Sequence, residues 1–127
     1  MKTCLITGGA GNIACQLSFT LAERFDRIVL FDVAEQPIGS IGTKARFERA
    51  DVADESQLAE MFQRHQPQVV IHLAALLSAS CEADRARAWR VNAHGSYLLL
   101  ETALRFACPM VVFTSTVASY GGILPQV

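Results

Sequence analysis

Lys2-Thr3-Cys4-Leu5-Ile6, running into Thr7-Gly8-Gly9-Ala10-Gly11-Asn12-Ile13-Ala14, is the stretch that decides the fold. The first five residues read as a short apolar strand, and an apolar helical pattern begins after the glycines. A strand, a glycine turn and a helix start in succession make a socket for a pyrophosphate. The first N–H groups of a helix lack partners within it, and its dipole favours an anion there. Gly8 suits a tight turn, Gly11 lets the backbone approach phosphates with no side chain in between, and Asn12 and Ile13 open the helix whose amides face them. Ala14 stands where helix packs on strand and only a small residue fits. The spacing TGxxGxxA alone occurs in many loops, so its meaning depends on the residues downstream of it.

Downstream lies Arg27-Ile28-Val29-Leu30-Phe31-Asp32, a second β-rich run that ends in an acid 24 residues after Gly8. A dinucleotide-binding fold places there the carboxylate that accepts hydrogen bonds from the adenosine ribose hydroxyls. Val33-Ala34-Glu35-Gln36 offers no Arg or Lys to a 2′-phosphate, and the Asp32 carboxylate repels one. NAD is therefore the expected cofactor, in preference to NADP.

The rest of the composition agrees with one compact domain. Of 127 residues 51% are apolar and the formal net charge is −1, so a core is available, and neither nucleic acid nor an anionic membrane surface is an expected partner. The apolar runs are too short to span a bilayer, and the N-terminus reads as a strand followed by Gly-Gly rather than a signal peptide, which makes the cytoplasm the expected location. Cys4, Cys15, Cys81 and Cys108 form no CxxC pair and no zinc spacing with His. Cys4 and Cys15 read as small apolar fillers in a reducing compartment.

Apolar runs alternate with helical stretches along the chain, the pattern of a parallel sheet covered on both faces. Strands are expected near 2–7, 27–32, 45–50, 68–73 and 110–115, and helices near 12–24, 54–65 and 83–107, the last broken. Val33 to Lys44 carries Pro37, Gly39 and Gly42 and reads as a loop. Asp54 is the expected N-cap of the second helix, and Pro67 stops it. Right-handed crossovers give a Rossmann-type, doubly wound α/β fold in three αβα layers, with about five strands in the order 3-2-1-4-5. The ligand crevice then lies at the carboxyl edge between the first and fourth strands, and the fifth strand is an unprotected edge.

Beyond the glycine turn, Asp51-Val52, His72-Leu73-Ala74-Ala75, Val91-Asn92 and Ser115-Thr116-Val117-Ala118-Ser119-Tyr120-Gly121 occur in that order. With these motifs the chain resembles the extended short-chain dehydrogenases, the NAD-dependent epimerase/dehydratase group, over essentially its whole length. Asp51 is placed to accept from the adenine amino group while the Val52 N–H faces a ring nitrogen; the other reading of Asp51 is a cap for the next helix. Leu73, Ala74 and Ala75 let the backbone pass close beneath the nicotinamide-side ribose and phosphates. His72 reads as structural, and Asn92, disfavoured inside a helix, as a bridge to a neighbouring strand or loop.

The resemblance implies that Thr116, four residues before Tyr120-Gly121, bonds the reacting oxygen of the substrate, with Ser115 the adjacent candidate; the other reading of Thr116 is a strand-end residue with only a local bond. A finer likeness to the short-chain type of L-threonine 3-dehydrogenase runs through His72 to Ala79, Glu82, Ala88-Trp89, Val91-Asn92, Gly95 and Leu100-Glu101. It would place Ser78 near the substrate, although Ser78 reads equally well as a plain loop serine. Uronate and erythronate dehydrogenases share Val112-Phe113-Thr114-Ser115 and Gly121-Gly122. Ala14 where glycine is usual, and the short loop after Asp32, depart from both groups.

The family's proton-transfer pair, a Tyr followed four residues later by Lys, has no match: the lysines are Lys2 and Lys44, and the tyrosines are Tyr97 and Tyr120. The expectation is thus the NAD-binding part of a longer enzyme, truncated before its substrate region and inactive alone, acting on a small-molecule secondary alcohol and pairing as a homodimer through helices. A sugar-nucleotide epimerase or dehydratase, or a non-catalytic NAD-sensing module, are the alternatives.

Overall fold

The computed structural model describes residues 1–122. Its strands are β1 (Thr3–Thr7), β2 (Arg27–Asp32), β3 (Ala45–Arg49), β4 (Val69–His72) and β5 (Met110–Phe113). They form one five-stranded sheet in the order β3-β2-β1-β4-β5, every pair parallel. The helices are α1 (Asn12–Thr20), α2 (Glu55–His65), α3 (Ser78–Ala83), α4 (Arg85–Ala88) and α5 (Ser96–Arg105), with a π-wound segment, Trp89–Gly95, between the last two.

Alternation along the central strands creates the two covered faces. Leu5, Val29, Phe31 and Val70 join Leu58 and Phe62 of α2 and Leu99 of α5 in one core. Their chain neighbours Cys4, Ile6, Ile28 and Leu30 point the other way and pack with Ala14 of α1 and Phe25. The result is three layers, and the expected strand order and fold class stand. Cys4 and Cys15 are buried thiols within these layers.

Helix α2 begins as expected: the Asp54 carboxylate accepts from Gln57 N at 3.0 Å. It ends at Gln66, whose left-handed backbone (φ 44) leads into Pro67. The segment from Val33 to Lys44 is indeed a loop, held against the first helix by Gly42 N donating to Ser18 Oγ at 2.8 Å and by Lys44 Nζ donating to Ala22 O at 2.6 Å.

Several boundaries differ from expectation. The helical stretch expected over 83–107 begins at Ser78 and breaks at Asp84, whose side chain leaves the helix to accept from Arg87 N at 3.0 Å and so caps α4. The first helix tightens into a 3-10 turn over Leu21–Glu23 instead of running on to residue 24. Strand β5 stops at Phe113 rather than 115, because the Thr114 hydroxyl donates to His72 O at 3.2 Å and the chain then turns at Thr116. Among the described residues β5 is an edge strand, with Met110, Val112 and Phe113 exposed.

Candidate functional site

A cavity of ≈ 650 Å³ opens at the carboxyl ends of the strands, at the switch point between β1 and β4. The glycine turn contributes Gly8, Gly11, Asn12 and Ile13 to its wall, β2 contributes Asp32, the β3 exit Asp51 and Val52, and the β4 exit Leu73, Ala74 and Ala75. Every residue that the sequence assigns to a cofactor thus borders one space.

The glycine turn is built by contact as much as by conformation. Gly8 has φ +67, and a Cβ there would stand 2.8 Å from Ala74 N. Gly9, to which the sequence pattern gives no role, is equally constrained: its Cβ would fall 2.5 Å from Phe31 N, and its own N–H donates to Phe31 O at 2.9 Å. A Cβ on Gly11 would meet only Gly8 O, at 3.3 Å, so that face looks onto open space.

Gly11 caps α1 without a side-chain bond, and the first intrahelical donor is Cys15 N, bonded to Gly11 O at 3.0 Å. The N–H groups of Asn12, Ile13 and Ala14 therefore have no hydrogen-bond acceptor among the described residues, and all three residues line the cavity. Three donors at the positive end of a helix dipole fit an anion of phosphate type. Asp32 braces this turn. Its Oδ2 accepts from Ala10 N and its Oδ1 from Ala34 N, both at 3.2 Å. Each carboxylate oxygen keeps a second lone pair for a hydroxyl donor.

Beneath the cavity floor a chain of hydrogen bonds sets the β4 exit. Thr7 Oγ1 accepts from Leu73 N at 3.1 Å and Ala74 N at 3.0 Å, so its own proton goes to His72 Nδ1, 2.7 Å away. The Ser96 hydroxyl donates to Asn92 O at 2.7 Å and lies 2.8 Å from His72 Nε2, so Nε2 carries the imidazole proton. This donor count leaves His72 neutral, buried and structural.

Burial pushes the His72 imidazole down from 6.5 to about 4. The folded state thus takes up the proton later than the unfolded chain. The stability that neutral His72 carries is complete above pH 6.5 and is lost as pH falls through the window from there to about 4, about 3 kcal/mol in all. A His72→Asn variant, which cannot take up this proton, should lose stability less steeply than the parent between pH 6.5 and 4.5 in urea titrations. Equal slopes would contradict the placement.

Asn92 bridges to a loop: its Oδ1 accepts from Leu76 N at 2.7 Å and its Nδ2 donates to Leu76 O at 3.0 Å, clamping the segment that leaves Ala75. Asp51 does not cap α2, since Asp54 does. Its Oδ1 accepts from Ala53 N at 2.8 Å, and its Oδ2 pairs with Arg90 Nη2 at 3.0 Å. Arg87 and Arg90 line the cavity and do not stand out from the sequence. Their nearest signal is an i,i+3 spacing of cations after the Asp84 cap, which looks like any solvated helix face.

Thr116, Ser115 and Ser78 are not among the cavity-lining residues. Thr116 opens a 3-10 turn over Val117–Tyr120, its Oγ1 accepting from Ala118 N at 3.2 Å. Ser115 is exposed between β5 and that turn, and Ser78 is the exposed first residue of α3.

Comparison with known proteins agrees with this geometry. The profile of the NAD dependent epimerase/dehydratase family matches residues 4–126. D-erythronate dehydrogenase of Cupriavidus necator is 38% identical over 97% of this chain and 41% of its own length. UDP-glucose 4-epimerase from Brucella ovis, solved in complex with NAD, superposes with TM-score 0.85 at 28% identity, over 100% of this chain and 39% of that one. The GalE-like L-threonine dehydrogenase from Cupriavidus necator, in its holo form, superposes with TM-score 0.81 at 32% identity, over 92% of this chain and 38% of that one. The chain spans about two-fifths of the length of the curated relatives it matches.

Proposed function

The chain belongs to the NAD dependent epimerase/dehydratase family, and from that premise we propose that it is the NAD-binding part of an oxidoreductase moving hydride between nicotinamide and a secondary alcohol of a small polar substrate. One observation carries the cofactor reading. The unpartnered amides of Asn12, Ile13 and Ala14 share a cavity with Asp32, so an anion cradle and a hydroxyl acceptor lie side by side. NAD, when bound, supplies the hydride acceptor.

In this reading the first turn of α1 holds the pyrophosphate, Asp32 the adenosine ribose, and Asp51 with the Val52 N–H the adenine edge. Leu73, Ala74 and Ala75 pass beneath the nicotinamide half. Ser115 and Thr116 stand at the β5 exit to bond the reacting oxygen, and Ser78 borders the substrate. The Thr116 hydroxyl proton is not used by its bond from Ala118 N, where the oxygen is the acceptor, so it remains available to a substrate oxygen.

No Tyr of this chain is followed four residues later by Lys. Proton transfer is accordingly assigned to a Tyr/Lys pair elsewhere in a longer protein. The erythronate and threonine dehydrogenases among the relatives favour an acidic or amino-acid alcohol as substrate; the UDP-glucose 4-epimerases support transient oxidation of a nucleotide sugar as the second reading. Four free thiols suit the cytoplasm, and no helix among the described residues is long and apolar enough to cross a membrane. Exposed Tyr97, Leu100 and Leu104 on α5 offer the face for homodimer pairing.

Titration with NADH and NADPH, followed by nicotinamide fluorescence, tests the cofactor reading. NADH should bind at least roughly tenfold more tightly, since a 2′-phosphate beside the Asp32 carboxylate is repelled. A folded sample that prefers NADPH, or that binds neither, contradicts it.

A further inference from the structure

We propose, building on that cofactor reading, that Arg90 is a positioning residue for the adenine ring: it pins the Asp51 carboxylate and lays its own guanidinium plane along the base. Asp51 and Arg90 come from segments far apart in sequence, yet Arg90 Nη2 lies 3.0 Å from Asp51 Oδ2 and both residues line the cavity. Asp51 is fixed on its other sides as well. Its Oδ1 accepts from Ala53 N at 2.8 Å, and its N–H donates to Gln57 Oε1 at 2.8 Å. Each Asp51 oxygen accepts one bond and so keeps a second lone pair for a further donor, and an exocyclic amino group is the donor an adenine presents.

The backbone beneath Arg90 is equally anchored. It belongs to the π-wound segment Trp89–Gly95, a winding concentrated at functional sites. Gly95 packs against Val52, where a Cβ would meet Val52 Cγ1 at 3.1 Å, and Asn92 clamps Leu76. Arg90 and the Asp51-Val52 edge are therefore held side by side on the cavity wall. Because the Arg90 charge is already matched by Asp51, the property it has left to offer a ligand is its flat delocalised face, which stacks on bases. Arg87, which also lines the cavity, has no acidic partner within salt-bridge distance among the described residues.

The test measures dissociation constants of the parent protein, Arg90→Ala and Arg90→Lys for three probes: NADH, AMP and reduced nicotinamide mononucleotide. Arg90→Ala should weaken NADH and AMP about tenfold and leave the mononucleotide unchanged, as expected when one base-stacking partner is removed. Arg90→Lys, which keeps the ion pair and loses the plane, should recover only part of the AMP affinity. Arg90→Ala and Arg90→Lys should both melt close to the parent, because an ion pair on so exposed an arginine adds little stability. Arg90→Ala binding AMP like the parent overturns the proposal, as does full rescue by Lys or an equal loss on all three probes. If the parent protein itself binds neither NADH nor AMP, the cofactor reading falls first and this inference with it.

Discussion

A Gly11→Val variant should remain folded and bind NADH at least about 100-fold more weakly than the parent. Gly11 has φ −74 and ψ 163, an extended conformation open to any residue, and a Cβ there meets only Gly8 O at 3.3 Å. The change therefore asks the Gly8 carbonyl to give by only a few tenths of an ångström, with no backbone strain at residue 11 itself. The γ-methyl groups, however, stand over the first turn of α1, in the space a phosphate must enter to reach the amides of Asn12, Ile13 and Ala14. Losing those charge-assisted bonds removes the strongest polar contacts the cavity offers an anion. A melting temperature near that of the parent with NADH affinity abolished is the expected pair of results. Unaltered affinity would show that the phosphates bind elsewhere. A Gly9 substitution makes an instructive contrast, because its Cβ would strike the β2 backbone and should cost stability before it costs binding.

The second large effect is structural. Thr7→Val keeps the shape of the side chain and removes the oxygen on which the β4 exit is organised. Ala74 N and His72 Nδ1 lose their partner, while Leu73 N retains a longer bond to Thr7 O at 3.3 Å. A buried imidazole nitrogen and a part-buried N–H left without partners cost roughly 2–5 kcal/mol, a large part of the total of roughly 5–15 kcal/mol available to a domain. Urea denaturation should show the midpoint falling accordingly, with Thr7→Ser close to the parent. Loss of order at Leu73 and Ala74 should weaken NADH binding as well, since both border the cavity. A Val variant as stable as the parent would mean that water or a shifted backbone already meets these groups.

Much of this architecture is legible from residue patterns alone. Leu5 against Cys4 and Ile6, and Val29 and Phe31 against Ile28 and Leu30, already encode a sheet covered on both faces, because successive strand residues point to opposite sides. The glycine spacing and Asp32 give the cavity its position, since backbone donors at a helix start need no side chain to announce them beyond the small residues that expose them. A break in the helical stretch after β4 is expected, but its start at Ser78 and its place at Asp84 are hidden. Asp84 competes with the helix by capping the next one through Arg87 N, a local bond that any Asp inside a helical pattern could make or not make. The expected bridge of Asn92 finds its partner, Leu76, only once the fold brings it near.

Arg90 and the Thr7–His72 pair are unreadable for the same reason. Thr7 and His72 are cross-strand partners in the β1–β4 register, and Arg90 meets Asp51 only after the crossover folds back. The chemistry expected of Thr116, Ser115 and Ser78 rests on resemblance, and these residues stand outside the cavity walls. Residues 123–127, which include Pro125, lie outside the described structure.

The central claim is that the free amides at the start of α1 receive the phosphates of NAD. Backbone amide chemical shifts of the isotopically labelled protein, recorded while NADH is added, address those groups one by one. The amides of Asn12, Ile13 and Ala14 should show the largest movements, saturating with the same dissociation constant that nicotinamide fluorescence reports. Saturable NADH binding that leaves these three resonances in place and moves others would contradict it.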